Sequence, residues 1–297
     1  MSNKPQTIAQ FFKQFPDEEA CLNHLFETRF GQGFECPSCG RASRWYRIKA
    51  ERAYSCQFCG HHLHPTVGTP FQQTRTPLQS WFYAIFLFTT TRNGVAAKEL
   101  QRQLGVTYKT AWRMADEIRK HMAMVDREEM LGGEGTIVEI DETLIGGKSK
   151  GRGLYRETKT YVLGMMERGG DVVTKVVIDN RQTTLIPAIR ANVVKGTEIH
   201  TDELKSYRVL PKHGFEHRRV NHSKGEYATK DGVTVNSMES FWAQLKRAIK
   251  GTHIHVSRKH LWKYAKETEY RFNRRASADT MIDELLSTFS PLPPRRG

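Results

Sequence analysis

The spacing of apolar residues changes character along the chain, and each change marks an element type. Through residues 76–125 they recur at helical intervals in SWFYAIFLF, AAKELQRQL and YKTAWRMADEIRKHM, with Pro77 suited to a helix start. Gly105, followed by Val106, Thr107 and Tyr108, separates two of these helices by a tight turn, the outline of a helix-turn-helix. After the glycine-rich LGGEG at residues 131–135 the pattern becomes that of strands: TIVEID, KTYVLGMME and DVVTKVVID, then a helical TLIPAIRANVV, then TEIHTD. A short strand at residues 216–220, a polar loop through Gly232 and long helices to about Phe289 complete the pattern of an α/β domain. The PLPPRRG end reads as a disordered tail.

The segment before residue 72 is organised by cysteine instead. ECPSCG and CQFCG place Cys36 and Cys39, then Cys56 and Cys59, in two knuckles with sixteen residues between the pairs. That spacing predicts one structural zinc ion held by four thiolates. Gly40 and Gly60 just beyond each pair let the backbone turn so that two sulfurs face one ion. A closed tetrahedral shell leaves no position for water or substrate, so the ion's role is folding energy. Cys21 reads as a buried apolar residue, and the complete cysteine set leaves His61, His62 and His64 solvated or facing a partner.

Charge then narrows the partner class. The 297 residues carry 46 Lys and Arg against 32 Asp and Glu, a formal charge of +14, which concentrates polyanions near the surface. The longest apolar stretch, Trp81 to Phe88, is too short to span a bilayer, and the first residues lack the apolar core of a signal peptide. A cytoplasmic protein without a membrane partner is expected, in a compartment where paired thiols bind metal.

The chemistry lies in three carboxylates. Asp141 follows Ile137, Val138 and Ile140, so it emerges near the end of the first strand, and Asp202 occupies the matching place after Glu198-Ile199-His200-Thr201. Glu239 sits beside a helical stripe of Met238, Trp242, Leu245 and Ile249. Carboxylates gathered at strand ends and on a packed helix repel unless divalent cations neutralise them, which points to Mg²⁺ or Mn²⁺ and, with two ions, to in-line displacement at phosphorus. Strand alternation turns the rivals Glu142 and Glu203 away from that face, while Glu226 and Asp231 fall in a loop. Lys246, two helical turns after Glu239, reaches towards phosphate from the same face. Asn236 either touches DNA or caps the helix, capping being the plainer reading. GGKSKGRG brings Lys148, Lys150 and Arg152 into a glycine-rich basic loop that either approaches a DNA backbone or is simply a solvated hairpin.

Taken together, CPSCG and CQFCG, VEIDETLIGGK, HTDELKSYR, VNSMESFWAQLKRAIKGTHIHVS and YRFNRR resemble bacterial insertion-sequence transposases of the ISXO2-like type, the IS1595 group, over nearly the whole chain. The resemblance implies an RNase H-like catalytic core with a DDE triad at Asp141, Asp202 and Glu239, with Lys246 as the following lysine. The implied layout is an N-terminal region with a zinc ribbon (1–72), a helical DNA-binding segment (73–130), the catalytic domain (131–290) and a tail (291–297). Some relatives carry Asn in the third acidic position; Glu239 makes this set complete. The implied activity is metal-dependent cleavage at the terminal inverted repeats of an element and strand transfer into target DNA. Thr107, Tyr108, Lys109 and Arg113 are then the candidates on the reading helix, and joining two ends at once implies at least a homodimer on DNA. A structure-selective nuclease or resolvase with the same metal chemistry, and a zinc-ribbon regulator with a dead acidic core, are the competing readings.

Overall fold

The fold is that of a computed structural model, which describes residues 6–126, 129–146, 159–221 and 232–289. Its first elements are two helices that start on local signals. Thr7 and Gln10 form a reciprocal capping box ahead of α1 (Ile8–Gln14), and the Asp17 side chain accepts the Ala20 N–H to begin α2 (Glu18–Arg29). The ribbon follows as β1 (Trp45–Ile48), β2 (Ala53–Cys56) and β3 (His62–Leu63), an antiparallel sheet in the order β1-β2-β3. Helices α3 (Leu78–Thr90), α4 (Ala97–Leu104) and α5 (Tyr108–Val125) lie where the helical spacing predicts. Gly105 ends α4 in the left-handed region at φ 65°, which lets the chain reverse into α5 within a few residues.

The second part is a mixed sheet of β4 (Ile137–Gly146), β5 (Lys159–Glu167), β6 (Val172–Val177), β7 (Glu198–Thr201) and β8 (Glu216–Arg219). Its order is β6-β5-β4-β7-β8; the first three strands form an antiparallel meander, and β7 and β8 run parallel to β4. The crossover from β6 to β7 carries α6 (Gln182–Asn192), and a 3₁₀ run (Lys205–His213) links β7 to β8. After β8 come α7 (Asn236–Arg247), a wide π-type turn (Ala248–His253), α8 (Arg258–Asn273) and α9 (Met281–Ser287).

Strand alternation divides the sheet's side chains between two cores. Val138, Ile140, Leu163 and Met165 pack with Leu185, Ile186 and Ile189 of α6 and with Tyr207. Ile145, Val162 and Met166 pack on the other face against Met238, Phe241, Trp242 and Leu245 of α7 and Leu261 of α8. Glu139 and Asp141 share the parity of Ile145 and therefore belong to the α7 face.

The chain divides into two compact units, Met1–His121 with Ser277–Gly297, and Met122–Ala276. The ribbon and the helices around it thus share one unit. Its core holds Phe11, Phe15, Phe26, Trp81, Phe82 and Phe88, closed by Met281, Ile282, Leu285 and Leu286 of α9. The sequence pattern counts α9 among the long helices that complete the 131–290 domain; its apolar face is buried in the first unit. No helix among the described residues is long and apolar enough to cross a membrane.

Candidate active site and metal centre

In the ribbon, the four cysteine sulfurs lie within 4.8 Å of one another. The Cys36–Cys59 and Cys39–Cys56 sulfur pairs are 3.7 and 3.9 Å apart. A tetrahedron with Zn–S bonds of about 2.3 Å has edges of about 3.8 Å, so the donor set fits zinc without rearrangement. Each knuckle is closed by a backbone bond, Gly40 N–H to Cys36 O and Gly60 N–H to Cys56 O, with both glycines at positive φ near 70°. The N–H groups of Ser38 and Phe58 point at the sulfurs of Cys36 and Cys56, which favours thiolates. His62 and His64 stand together with Glu51 on the exposed side, apart from the thiolate set, and Cys21 is fully buried. The ribbon's Tyr54 stacks on Phe26 of α2 at 4.0 Å between ring centres, so the zinc module is part of the first unit's core.

In the same unit, Thr107 begins α5 by accepting the Thr110 N–H. Tyr108, Lys109 and Arg113 are exposed on the first turns of that helix, with the Lys98 ammonium over the Tyr108 ring. The basic loop residues Lys148, Lys150 and Arg152 lie outside the described residues.

The acidic site is built on β4, β7 and α7. Continuation of the parallel β4–β7 register, Glu139 opposite His200, brings Asp141 beside Asp202. Burial first, then the charges of Glu142 and Asp202, push the Asp141 carboxyl up from 3.8 to about 7. Asp202 turns one oxygen back to the Leu204 N–H at 2.9 Å. Glu142 belongs to the opposite face, where the Tyr207 hydroxyl and the Asn180 amide hold it. Glu239 is exposed on the first turn of α7, three residues before Trp242 and seven before Lys246. Burial lowers the Lys246 ammonium while Asp141 and Glu239 pull it back up, and Lys250 and Lys159 oppose that pull. Asp141, Asp202, Glu239 and Lys246 therefore share one electrostatic neighbourhood.

Two contacts that the apolar pattern does not reveal hold this neighbourhood together. The Trp242 indole N–H donates to Asp141 Oδ2 at 2.9 Å, tying α7 to β4. The helix comes this close because Gly164, the cross-strand partner of Asp141, has no side chain; a Cβ there would lie 2.3 Å from Met238 Cε and 2.7 Å from the Trp242 ring. Deeper on the same face, the fully buried Glu139 caps α7. Its Oε2 accepts the N–H groups of Ser237 and Met238 at 2.9 and 3.4 Å. Its Oε1 accepts the Ser237 hydroxyl and the Arg168 guanidinium, each at 3.1 Å. Arg168 in turn meets His200 Nδ1 at 3.1 Å.

This arrangement corrects the reading of Asn236. It is an exposed first residue of α7 and makes no capping bond; the orphan N–H groups are satisfied by a carboxylate from a distant strand. Replacing Glu139 by Ala strips the cap and leaves Arg168 without its buried partner, an expected loss of about 3–5 kcal/mol and a fall of about 10 °C in melting temperature for a unit of this size. Thermal unfolding followed by circular dichroism reads it directly. Glu139→Gln keeps acceptors for the N–H groups and falls between wild type and Glu139→Ala.

Two regions of the chain match known transposase domains. Residues 130–273 match the ISXO2-like transposase domain, and residues 16–62 match the transposase zinc-ribbon domain. The chain is 28% identical over 283 residues to an uncharacterized protein in transposable element ISH50 of Halobacterium salinarum, covering 87% of this chain and 92% of that protein. It is 34% identical over 102 residues to an uncharacterized transposase-like protein of Haemophilus influenzae, covering 34% of this chain and 80% of that protein.

Proposed function

Because the chain belongs to the ISXO2-like transposase family, we propose that it is an active DNA transposase that cleaves the terminal inverted repeats of its element and joins them to target DNA. The observation that carries the reading is the convergence of Asp141, Asp202 and Glu239 with Lys246 on one face of the sheet. The sheet order, an antiparallel meander followed by parallel strands on its far side, supports an RNase H-like core.

Two half-buried acids that repel each other, with a third on the facing helix, suit a divalent cation, and Asp141, Asp202 and Glu239 are the residues that would hold Mg²⁺ or Mn²⁺. When bound, such ions would supply activation of the attacking oxygen and stabilisation of the leaving oxygen in a phosphodiester displacement. The protein's own part is to orient: Trp242 holds Asp141, Glu139 holds the start of α7, and Lys246 offers a positive charge to a DNA phosphate. The ribbon and the α4–α5 pair are the proposed end-recognition surface, with Thr107, Tyr108, Lys109 and Arg113 facing the groove, and a dimer or larger assembly holds both ends.

The test is incubation of purified protein with labelled element ends and Mg²⁺, comparing wild type with Glu239→Gln. Wild type is expected to nick or cut at the repeat ends and to join paired ends to a second duplex. The variant is expected to lose more than about a hundredfold of that activity. Equal cleavage by both proteins overturns the site; cleavage without joining supports a structure-selective nuclease instead.

A further inference from the structure

Where α7 ends, the chain widens into the π-type turn at Ala248–His253 and then makes a three-residue turn. The His255 N–H donates to the His253 carbonyl at 2.6 Å, with Ile254 between them at φ 63°, ψ −55°. This is a γ-turn with its central residue at positive φ, a rare and strained form, and a β-branched residue is among the worst suited to it. Glycine adopts that conformation freely. The strain is not offset by packing, because the Ile254 side chain is 84% exposed. A strained apolar residue displayed to solvent is the kind of feature that persists at functional surfaces, and widened helical turns concentrate there as well.

What stands beside it indicates the occupant. Ile254 borders a cleft of about 280 Å³ whose floor includes Ile145 and Ile249 and whose rim carries Lys159, Lys246, Lys250 and His255. An apolar floor under a cationic rim complements a nucleobase attached to its phosphate, and the volume is far too small for a duplex. The cleft shares Lys246 with the acidic site, since that ammonium feels the charges of Asp141 and Glu239. A protein partner for this surface would have to meet four basic groups around one exposed isoleucine, whereas DNA offers both the phosphates and a stack that an apolar side chain can enter.

We propose that Ile254 is a wedge that enters the DNA at the base step beside the scissile phosphate, and that the adjoining cleft receives the displaced nucleotide with its phosphate among Lys159, Lys246 and Lys250. The proposal rests on the reading of the acidic site as a DNA-cleaving centre. Unstacking at that step frees the strand to bend into the site, and the base leaves the helix for an apolar floor.

The full-length protein tests this with two duplexes of the element end. One is fully paired and carries 2-aminopurine at the junction; the other has an abasic site there, which needs no unstacking. Ile254→Gly removes the wedge and relieves the backbone, so its melting temperature should equal or exceed that of wild type. It is expected to lose about tenfold or more in cleavage of the paired end, to lose the rise in 2-aminopurine fluorescence on binding, and to cleave the abasic end at close to the wild-type rate. Ile254→Met, which keeps an apolar wedge, is expected to retain both signals. Wild-type rates for Ile254→Gly on the paired end, or an equal defect on both ends, overturn the wedge while wild-type cleavage leaves the transposase reading standing. Cleavage of neither end by wild type overturns both.

Discussion

Asp141→Asn is expected to abolish end cleavage and, in the absence of divalent cations, to raise the melting temperature. The two effects have one cause. Burial and the neighbouring Glu142 and Asp202 charges raise the Asp141 carboxyl from 3.8 to about 7. A carboxyl with a raised value holds its proton more tightly in the folded state, so its stabilising contribution is present at low pH and is lost as pH climbs from 3.8 to about 7. Above that range the ionised group works against the fold, by about 4 kcal/mol for a shift of about three units. Asparagine removes the charge, and its amide oxygen can still accept the Trp242 indole N–H. The same substitution removes a ligand from the proposed cation site, with an expected loss of more than about a hundredfold in cleavage. Mg²⁺ titration followed by thermal shift separates the contributions. Wild type should gain stability with added Mg²⁺ because binding to the folded state alone is stabilising, and Asp141→Asn should gain far less. A variant that melts lower than wild type and responds equally to Mg²⁺ would overturn the assignment.

Cys39→Ser should be the most damaging single change in the first unit. Four thiolates at tetrahedral spacing carry apparent binding free energies of about 10–16 kcal/mol in small zinc modules, and that energy is folding energy. The ribbon's own apolar contribution is small: its sheet has three short strands, and Trp45, Tyr54 and Leu63 are the large buried side chains on them. The expected result is loss of bound zinc from about one ion per chain, collapse of the β1–β3 signal, and loosening of α2 through the Tyr54–Phe26 stack. Zinc content by a chromogenic chelator and amide exchange across residues 32–63 measure this. The mixed sheet of the second unit should keep its own exchange protection. Zinc content equal to wild type would overturn the four-thiolate assignment.

The features legible in the sequence are those whose signal is local. Two CxxC pairs define a zinc site by spacing alone, and alternating apolar residues around Asp141 reveal its strand and its face. The signals for α1 and α2, Thr7 with Gln10 and Asp17 before two glutamates, are equally local but lie outside the long periodic stretches. Glu139 was hidden for a different reason. It has the same parity as Asp141, but its partners Arg168, Ser237 and His200 come from elements far along the chain, and such pairings leave no periodic trace. Trp242 falls on the apolar stripe of α7 and is indeed core; only the register between that helix and β4, set by Gly164, turns its N–H onto Asp141. Asn236 shows the converse. Its residue type favours helix starts, yet a buried carboxylate from β4 makes the capping bonds instead.

Because α9 completes the hydrophobic core of the unit that begins the chain, synthesis and assembly run in different orders. Met281 follows His121, the last residue of the unit's N-terminal part, by 160 positions (281 − 121). At roughly 5–20 residues per second a ribosome needs roughly 10–30 seconds to cover that distance. Throughout that interval the apolar surfaces awaiting Leu285 and Leu286 have no cover from α9, and every residue of the mixed sheet is made within it, before Met281. The acidic site is therefore finished before the zinc-bearing unit is, and a chain halted before α9 would possess the proposed cleavage site without the completed core of the unit that carries the ribbon.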